Sequence, residues 1–322
     1  MPTVLVTDFT FRDLDIEEAI LRPLGCTVEP RQCRTVGELL GVVAGAEYVI
    51  TQFAPVNAEV IAAMGRARVI VRYGIGVDNV DLDAARARGI AVCNVPDYCT
   101  DEVADHTLGM ILDATRQLAA GDRLVRAGGW ALAVPIDRMR TLRDLTVGVV
   151  GFGRIGREVA ARLRGFQCRL LVHDPYVAAS DVERAGAEAV ALEVLLAGSD
   201  VVTLHCPFTP RTRGLIGRDA IGRMRPGAVL VNVARGPIVE TDALVAALRS
   251  GHLSAAAIDV TDPEPPPADS PLRAMDNVLV TAHVASASVK AVRALRGAVA
   301  ETVARAVRGE TVPNVVNGVG VR

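Results

Sequence analysis

Thr146-Val-Gly-Val-Val-Gly-Phe-Gly-Arg-Ile-Gly156 is the stretch that decides the fold. Thr146 to Val150 is a short apolar run and reads as a strand. Gly151, Gly153 and Gly156 then give G-x-G-x-x-G at a turn. Arg157 to Gly165 reads as a helix with Val159, Ala160 and Leu163 on one face, and a second apolar strand, Cys168 to His173, ends in Asp174. Strand, turn, helix, strand and acid, in that order, make a dinucleotide site. Gly151 permits the tight turn. Gly153 has no Cβ, so backbone can approach a pyrophosphate. Gly156 lets the helix pack closely on the strand. The helix N-terminus offers N–H groups and positive dipole to phosphates. Asp174, 18 residues after Gly156, stands where a carboxylate would meet the ribose hydroxyls.

Upstream, strands near 3–8, 26–29, 47–51, 68–72 and 90–93 alternate with helices near 16–24, 35–43, 57–64 and 82–88. That alternation predicts a parallel sheet with helices on both faces. The first ~95 residues thus form a small wound domain without a phosphate fingerprint. Thr100 to Arg126 reads as one long helix, apolar on more than one side. Such a helix is buried by more than its own domain, and a subunit contact is one use for it. Downstream, strands near 200–205, 228–233, 254–259 and 278–281 continue the second sheet, and 286–310 reads as a helical tail. The fold class is α/β, with two doubly wound parallel-sheet domains.

The bulk composition excludes several roles. The chain has 322 residues, is 50% apolar and only 3% aromatic, so its core is aliphatic. A net charge of −2 argues against a general nucleic-acid footprint. Lys290 is the only lysine; the arginine excess reads as codon bias rather than phosphate binding. Six scattered cysteines without C-x-x-C read as reduced thiols of a cytoplasmic protein. The first strand starts at Thr3, so no signal peptide is expected. No apolar run reaches the roughly 18 residues of a membrane span, and no metal site is apparent.

Three strands of the second sheet end in polar residues that a plain core would not place there: Arg235, Asp259 with Glu264, and His283. All follow carboxyl ends of parallel strands, where ligands of such sheets bind. An arginine holds a carboxylate bidentately. A carboxylate beside a histidine keeps it oriented and protonated. Together they are an apparatus for reducing a 2-oxo acid with a nicotinamide cofactor. Taken alone, His283 reads more readily as a satisfied buried histidine. His106, His173, His205 and His252 read as structural, and Asp8, Asp78 and Asp97 as turn and strand-end residues.

Gly151-x-Gly-x-x-Gly156, His173-Asp-Pro175, Asn232-x-Ala-Arg-Gly236, Asp259-Val-x-x-x-Glu-Pro265 and the His283 block together resemble the D-2-hydroxyacid dehydrogenase family. Gly74-x-Gly-Val-Asp-Asn79, Asn94-Val-Pro96 and the closing Pro313-Asn-Val-Val-Asn317 also match, so the resemblance covers nearly the whole chain. Asn94 to Asp105 is most similar to the branch of C-terminal-binding corepressors, near the phosphoglycerate dehydrogenase-like branch. The resemblance implies a Rossmann nucleotide domain over 99–286 and a smaller flavodoxin-like substrate domain over 1–98 and 287–322. It implies Arg235, Glu264 and His283 as the catalytic set. NAD would be held by Gly151, Gly153, Arg154, Ile155, Gly156, Asp174, Cys206, Pro207, Thr212, Val233, Ala234 and Asp259. A substrate carboxylate would be met by Tyr73, Gly74, Gly76 and Val77. NAD rather than NADP is expected, since Asp174 would repel a 2′-phosphate. A cytoplasmic homodimer turning over a small 2-oxo or 2-hydroxy acid is implied. A non-enzymatic NAD(H)-sensing, corepressor-like protein is the alternative. Formate dehydrogenases of the family fit less well, having glutamine for the glutamate. Ala282, where the family usually has proline, leaves substrate shape open.

Overall fold

The computed structural model describes residues 1–320, so the last two positions of the expected first domain lie outside the described residues. The chain divides into two compact units: Met1–Tyr98 together with the chain from Ser288 onward, and Cys99–Ala287.

The first unit is a parallel sheet of β1 (Thr3–Val6), β2 (Thr27–Pro30), β3 (Tyr48–Thr51), β4 (Val69–Arg72) and β5 (Ala91–Cys93), in the order β2-β1-β3-β4-β5. This is the flavodoxin-like order. Side chains of a strand alternate between faces. Val4, Val6, Ile50 and Val71 therefore meet one core, with Leu295, Val299 and Val303 of the helix Val289–Val307. Leu5, Val49, Ile70 and Val92 meet the other, with Leu39, Val60, Ile61 and Met64. The closing Pro-Asn-Val-Val-Asn segment lies along β5. Val315 bridges Cys93, Val316 N–H donates to Val92 O at 2.8 Å, and the buried Asn317 amide donates to Ile90 O at 2.8 Å.

The second unit is a parallel sheet of β6 (Thr146–Val150), β7 (Arg169–His173), β8 (Glu188–Ala189), β9 (Val201–Leu204), β10 (Ala228–Asn232), β11 (Leu253–Ile258) and β12 (Val278–Val280). Its order is β12-β11-β10-β9-β6-β7-β8. The winding reverses between β6 and β9, and a ligand crevice opens at the carboxyl ends of strands at such a point. β8 escaped the sequence reading because two residues are too few to show a period.

The helix expected over Thr100–Arg126 is two helices, Thr100–Arg116 and Leu118–Arg126, broken at Gln117 with φ +58°. Asp113 makes the break: its main-chain oxygen accepts Gln117 N–H at 2.6 Å and its Oδ1 accepts Ala119 N–H at 2.6 Å. The first helix packs on Arg154–Arg164 and on β10, β11 and β12. The second buries none of its residues. Among the described residues no helix is long and apolar enough to cross a membrane.

Candidate active site

The glycine turn sits at the sheet's reversal. Gly151 has φ +95°, and a Cβ there would lie 2.5 Å from the main-chain nitrogen of Cys206, at the end of β9. A Cβ on Gly156 would lie 2.1 Å from Gly151 O, so helix and turn touch backbone to backbone. A Cβ on Gly153 would meet nothing within 4 Å. Gly153 thus borders open space at the N-cap of the helix Arg154–Arg164, which has no side-chain cap. Three different pressures place the three glycines, and only the middle one borders open space. The Asp174 carboxylate is half-buried, with Oδ2 accepting Phe152 N–H at 2.7 Å and Oδ1 accepting Tyr176 N–H at 2.9 Å. A carboxylate has about four lone-pair sites, so two remain for hydroxyl donors. The donor set, the uncapped helix end and the open face of Gly153 fit a dinucleotide.

Opposite this turn, the Cys206–Thr212 loop is tied by its own hydroxyl: Thr212 Oγ1 donates to Pro207 O at 2.7 Å and accepts Thr209 N–H at 2.8 Å. Thr212 thus first shapes the loop. Burial pushes the Cys206 thiol up to about 11, so it is no nucleophile at neutral pH. His205 is pushed down to about 3 because its ring is shut away from water, and it stays neutral.

Arg235, Glu264 and His283 follow the neighbouring strands β10, β11 and β12. The buried Asn232 closes β10: its amide donates to Arg235 O at 2.9 Å, and its Oδ1 accepts Ala234 N–H at 3.0 Å. Those two bonds fix the turn carrying Val233, Ala234 and Arg235. A Cβ on Gly236 would lie 2.0 Å from Thr261 O, so this turn is pressed against the exit of β11. Arg235 Nη1 donates to Ala234 O at 2.7 Å. The Glu264 Oε2 and His283 Nδ1 atoms are 3.0 Å apart, with the side chains 38% and 25% exposed. Asp259 is 1% exposed, and both its carboxylate oxygens accept main-chain N–H groups, Val284 and Ala285, each at 2.9 Å. Any cofactor contact by Asp259 shares the carboxylate with these donors.

In the first unit, Asn94 Nδ2 donates to Ile75 O at 2.6 Å and Val95 N–H donates to Gly74 O at 3.0 Å. These bonds hold the loop after β4. The N–H groups of Gly76 and Val77 donate to no protein group among the described residues. Consecutive N–H groups of this kind make an anion nest. The Tyr73 side chain points into the core. Its ring is 1% exposed and its hydroxyl donates to buried Glu17 at 2.8 Å, which leaves only its main chain for a ligand. Asn94, Asn232 and Thr281 were missed as site-shaping residues. For Asn94 and Asn232 the signal was present, each being a polar residue at the end of a buried strand; Thr281 follows the part-exposed β12 and carried no such signal.

Residues 108–285 match the family model described as D-isomer specific 2-hydroxyacid dehydrogenase, NAD binding domain. The chain belongs to this family. It is 39% identical to a D-3-phosphoglycerate dehydrogenase of Mycobacterium leprae over 98% of its own length and 59% of the relative's. It is 39% identical to a glyoxylate reductase of Korarchaeum cryptofilum over 82% of this chain and 80% of that one. The crystal structure of D-lactate dehydrogenase from Aquifex aeolicus, complexed with NAD and lactic acid, superposes with a TM-score of 0.89 at 29% identity, covering 98% of this chain and 99% of that one. The chain spans about six-tenths of the length of the phosphoglycerate dehydrogenases it matches. Family membership accounts for the arrangement already described, a glycine-rich turn at the sheet reversal with Arg235, Glu264 and His283 on adjacent strand ends.

Proposed function

We propose that this protein is an NAD-dependent oxidoreductase that interconverts a small 2-oxo acid and its D-2-hydroxy acid. The observation that carries the proposal is the 3.0 Å His283–Glu264 pair, on the sheet edge that bears the glycine turn. Bound NADH supplies a hydride to the carbonyl carbon. Negative charge then grows on the carbonyl oxygen. Glu264 accepts the Nδ1 proton of His283, which assigns proton transfer to Nε2. His283 donates that proton to the oxygen in reduction and takes the hydroxyl proton back in oxidation. Arg235 holds the substrate carboxylate bidentately and polarises the carbonyl. The unused N–H groups of Gly76 and Val77 make an anion nest within the first unit. The unit Cys99–Ala287 is assigned to NAD, and the unit Met1–Tyr98 with the chain from Ser288 to the substrate.

The protein is assigned as a homodimer. The support is an apolar run left in water: Leu118, Val125, Trp130, Leu132 and Ile136 are all exposed, Trp130 at 90%. Large apolar patches of this kind mark association surfaces. The six cysteines are free, which supports a cytoplasmic setting.

NADH consumption measured against a panel of 2-oxo acids tests the proposal. Turnover of at least one acid is expected, with kcat/KM higher for NADH than for NADPH because Asp174 repels a 2′-phosphate. Turnover of none, or a preference for NADPH, contradicts it.

A further inference from the structure

The loop Thr281–Ala285 folds around one residue. Asp259 O accepts His283 N–H at 2.7 Å. Asp259 Oδ1 accepts Val284 N–H at 2.9 Å and the Thr281 hydroxyl at short range, and Oδ2 accepts Ala285 N–H at 2.9 Å. Within this wrap His283 has φ +52°, a left-handed backbone that residues with a Cβ rarely adopt. Such a conformation persists only where its surroundings over-determine it. Here the bonds to Asp259 do so, and they point Nδ1 at Glu264.

The wrap is tied to a helix behind it. Thr281 has one hydroxyl proton and gives it to Asp259, so its oxygen can only accept from His106, whose Nε2 lies 3.2 Å away. That inventory places the proton on His106 Nε2. The same nitrogen is 3.8 Å from Asp259 Oδ1. His106 belongs to the helix Thr100–Arg116, which packs on β11 and β12. A directed chain results: His106 Nε2–H to Thr281 Oγ, Thr281 O–H to Asp259, and Asp259 to the main chain on both sides of His283.

We propose that His106 and Thr281 are positioning residues that act through Asp259 to hold His283 in its proton-transfer geometry. This deepens the dehydrogenase reading and rests on it. Neither side chain is asked to touch substrate or cofactor. Their loss lets the loop relax, and a displacement of about 1 Å at a reacting group costs up to about 10²-fold in rate.

The test compares Thr281→Val with Thr281→Ser, and His106→Leu with His106→Gln, whose amide nitrogen stands in for Nε2. Turnover, NADH affinity by fluorescence titration, melting temperature and the downfield proton resonance of His283 Nδ1–H are read for each. The resonance is assigned by its disappearance in Glu264→Gln. Thr281→Val and His106→Leu should lose roughly 10- to 10²-fold in kcat, with KM and NADH affinity unchanged and the resonance weakened. Thr281→Ser and His106→Gln should restore both. If Thr281→Val keeps the resonance and the wild-type kcat, the proposal is overturned. It is also overturned if kcat follows melting temperature alone and the conservative variants do not rescue. The resonance is read without turnover, so a wild-type protein inactive on every acid would reject the dehydrogenase reading and leave this test standing.

Discussion

A methyl group on Gly156 would sit 2.1 Å from the Gly151 carbonyl oxygen, while one on Gly153 would sit in open space. Two glycines of one motif therefore fail differently. Gly156→Ala must push helix from strand and should lower the melting temperature markedly. Gly153→Ala should melt close to wild type and lose NADH affinity, since the methyl occupies the space proposed for a pyrophosphate. Paired thermal melts and fluorescence titrations check this, and equal damage in both variants would mean that Gly153 has a structural role. At this scale the motif was legible because each glycine answers to local backbone geometry. Thr281 and His106 were not legible, because their tie exists only once two distant segments fold together. Glu17 hid for a similar reason. It stands in the first turn of the helix Asp15–Leu21, yet it is fully buried beneath Tyr73 and Arg296.

Elements are held by a few polar anchors as much as by their apolar faces. The helix Val289–Val307 is pinned through Arg296, which donates to both Glu17 oxygens at 2.7 to 3.1 Å and to Asp13 and Asp15. The acidic neighbours raise the arginine's pKa further and keep it charged. Arg296→Met would leave the Glu17 carboxylate buried with only the Tyr73 hydroxyl. Removing one partner of a buried pair costs about 3–5 kcal/mol, and chemical denaturation should read a loss of that order. A change under about 1 kcal/mol, in the range of exposed ion pairs, would show that the cluster is solvated. Sequence periodicity predicted this helix over 286–310, longer at both ends than the observed Val289–Val307. It also missed the break at Gln117, because Asp113 acts as a cap from inside an unbroken apolar pattern.

For the whole molecule, strand and helix alternation was enough to foresee two wound parallel sheets, since each element carries its own period. Periodicity could not show that the tail packs on the first sheet; only the resemblance implied it. A homodimer should give twice the chain mass of 33.9 kDa by sedimentation at micromolar concentration, and Trp130→Asp with Ile136→Asp should shift it to the monomer. A wild-type monomer would contradict the assignment of the exposed apolar run. The central claim is that His283, steadied by Glu264, moves the proton that accompanies hydride transfer. The most direct measurement is kcat of His283→Ala on the best 2-oxo acid found, alongside its NADH affinity. The account predicts a fall of about 10²–10⁴-fold in kcat, the range of general acid–base groups, with NADH bound as in wild type. Near wild-type turnover in His283→Ala would contradict it.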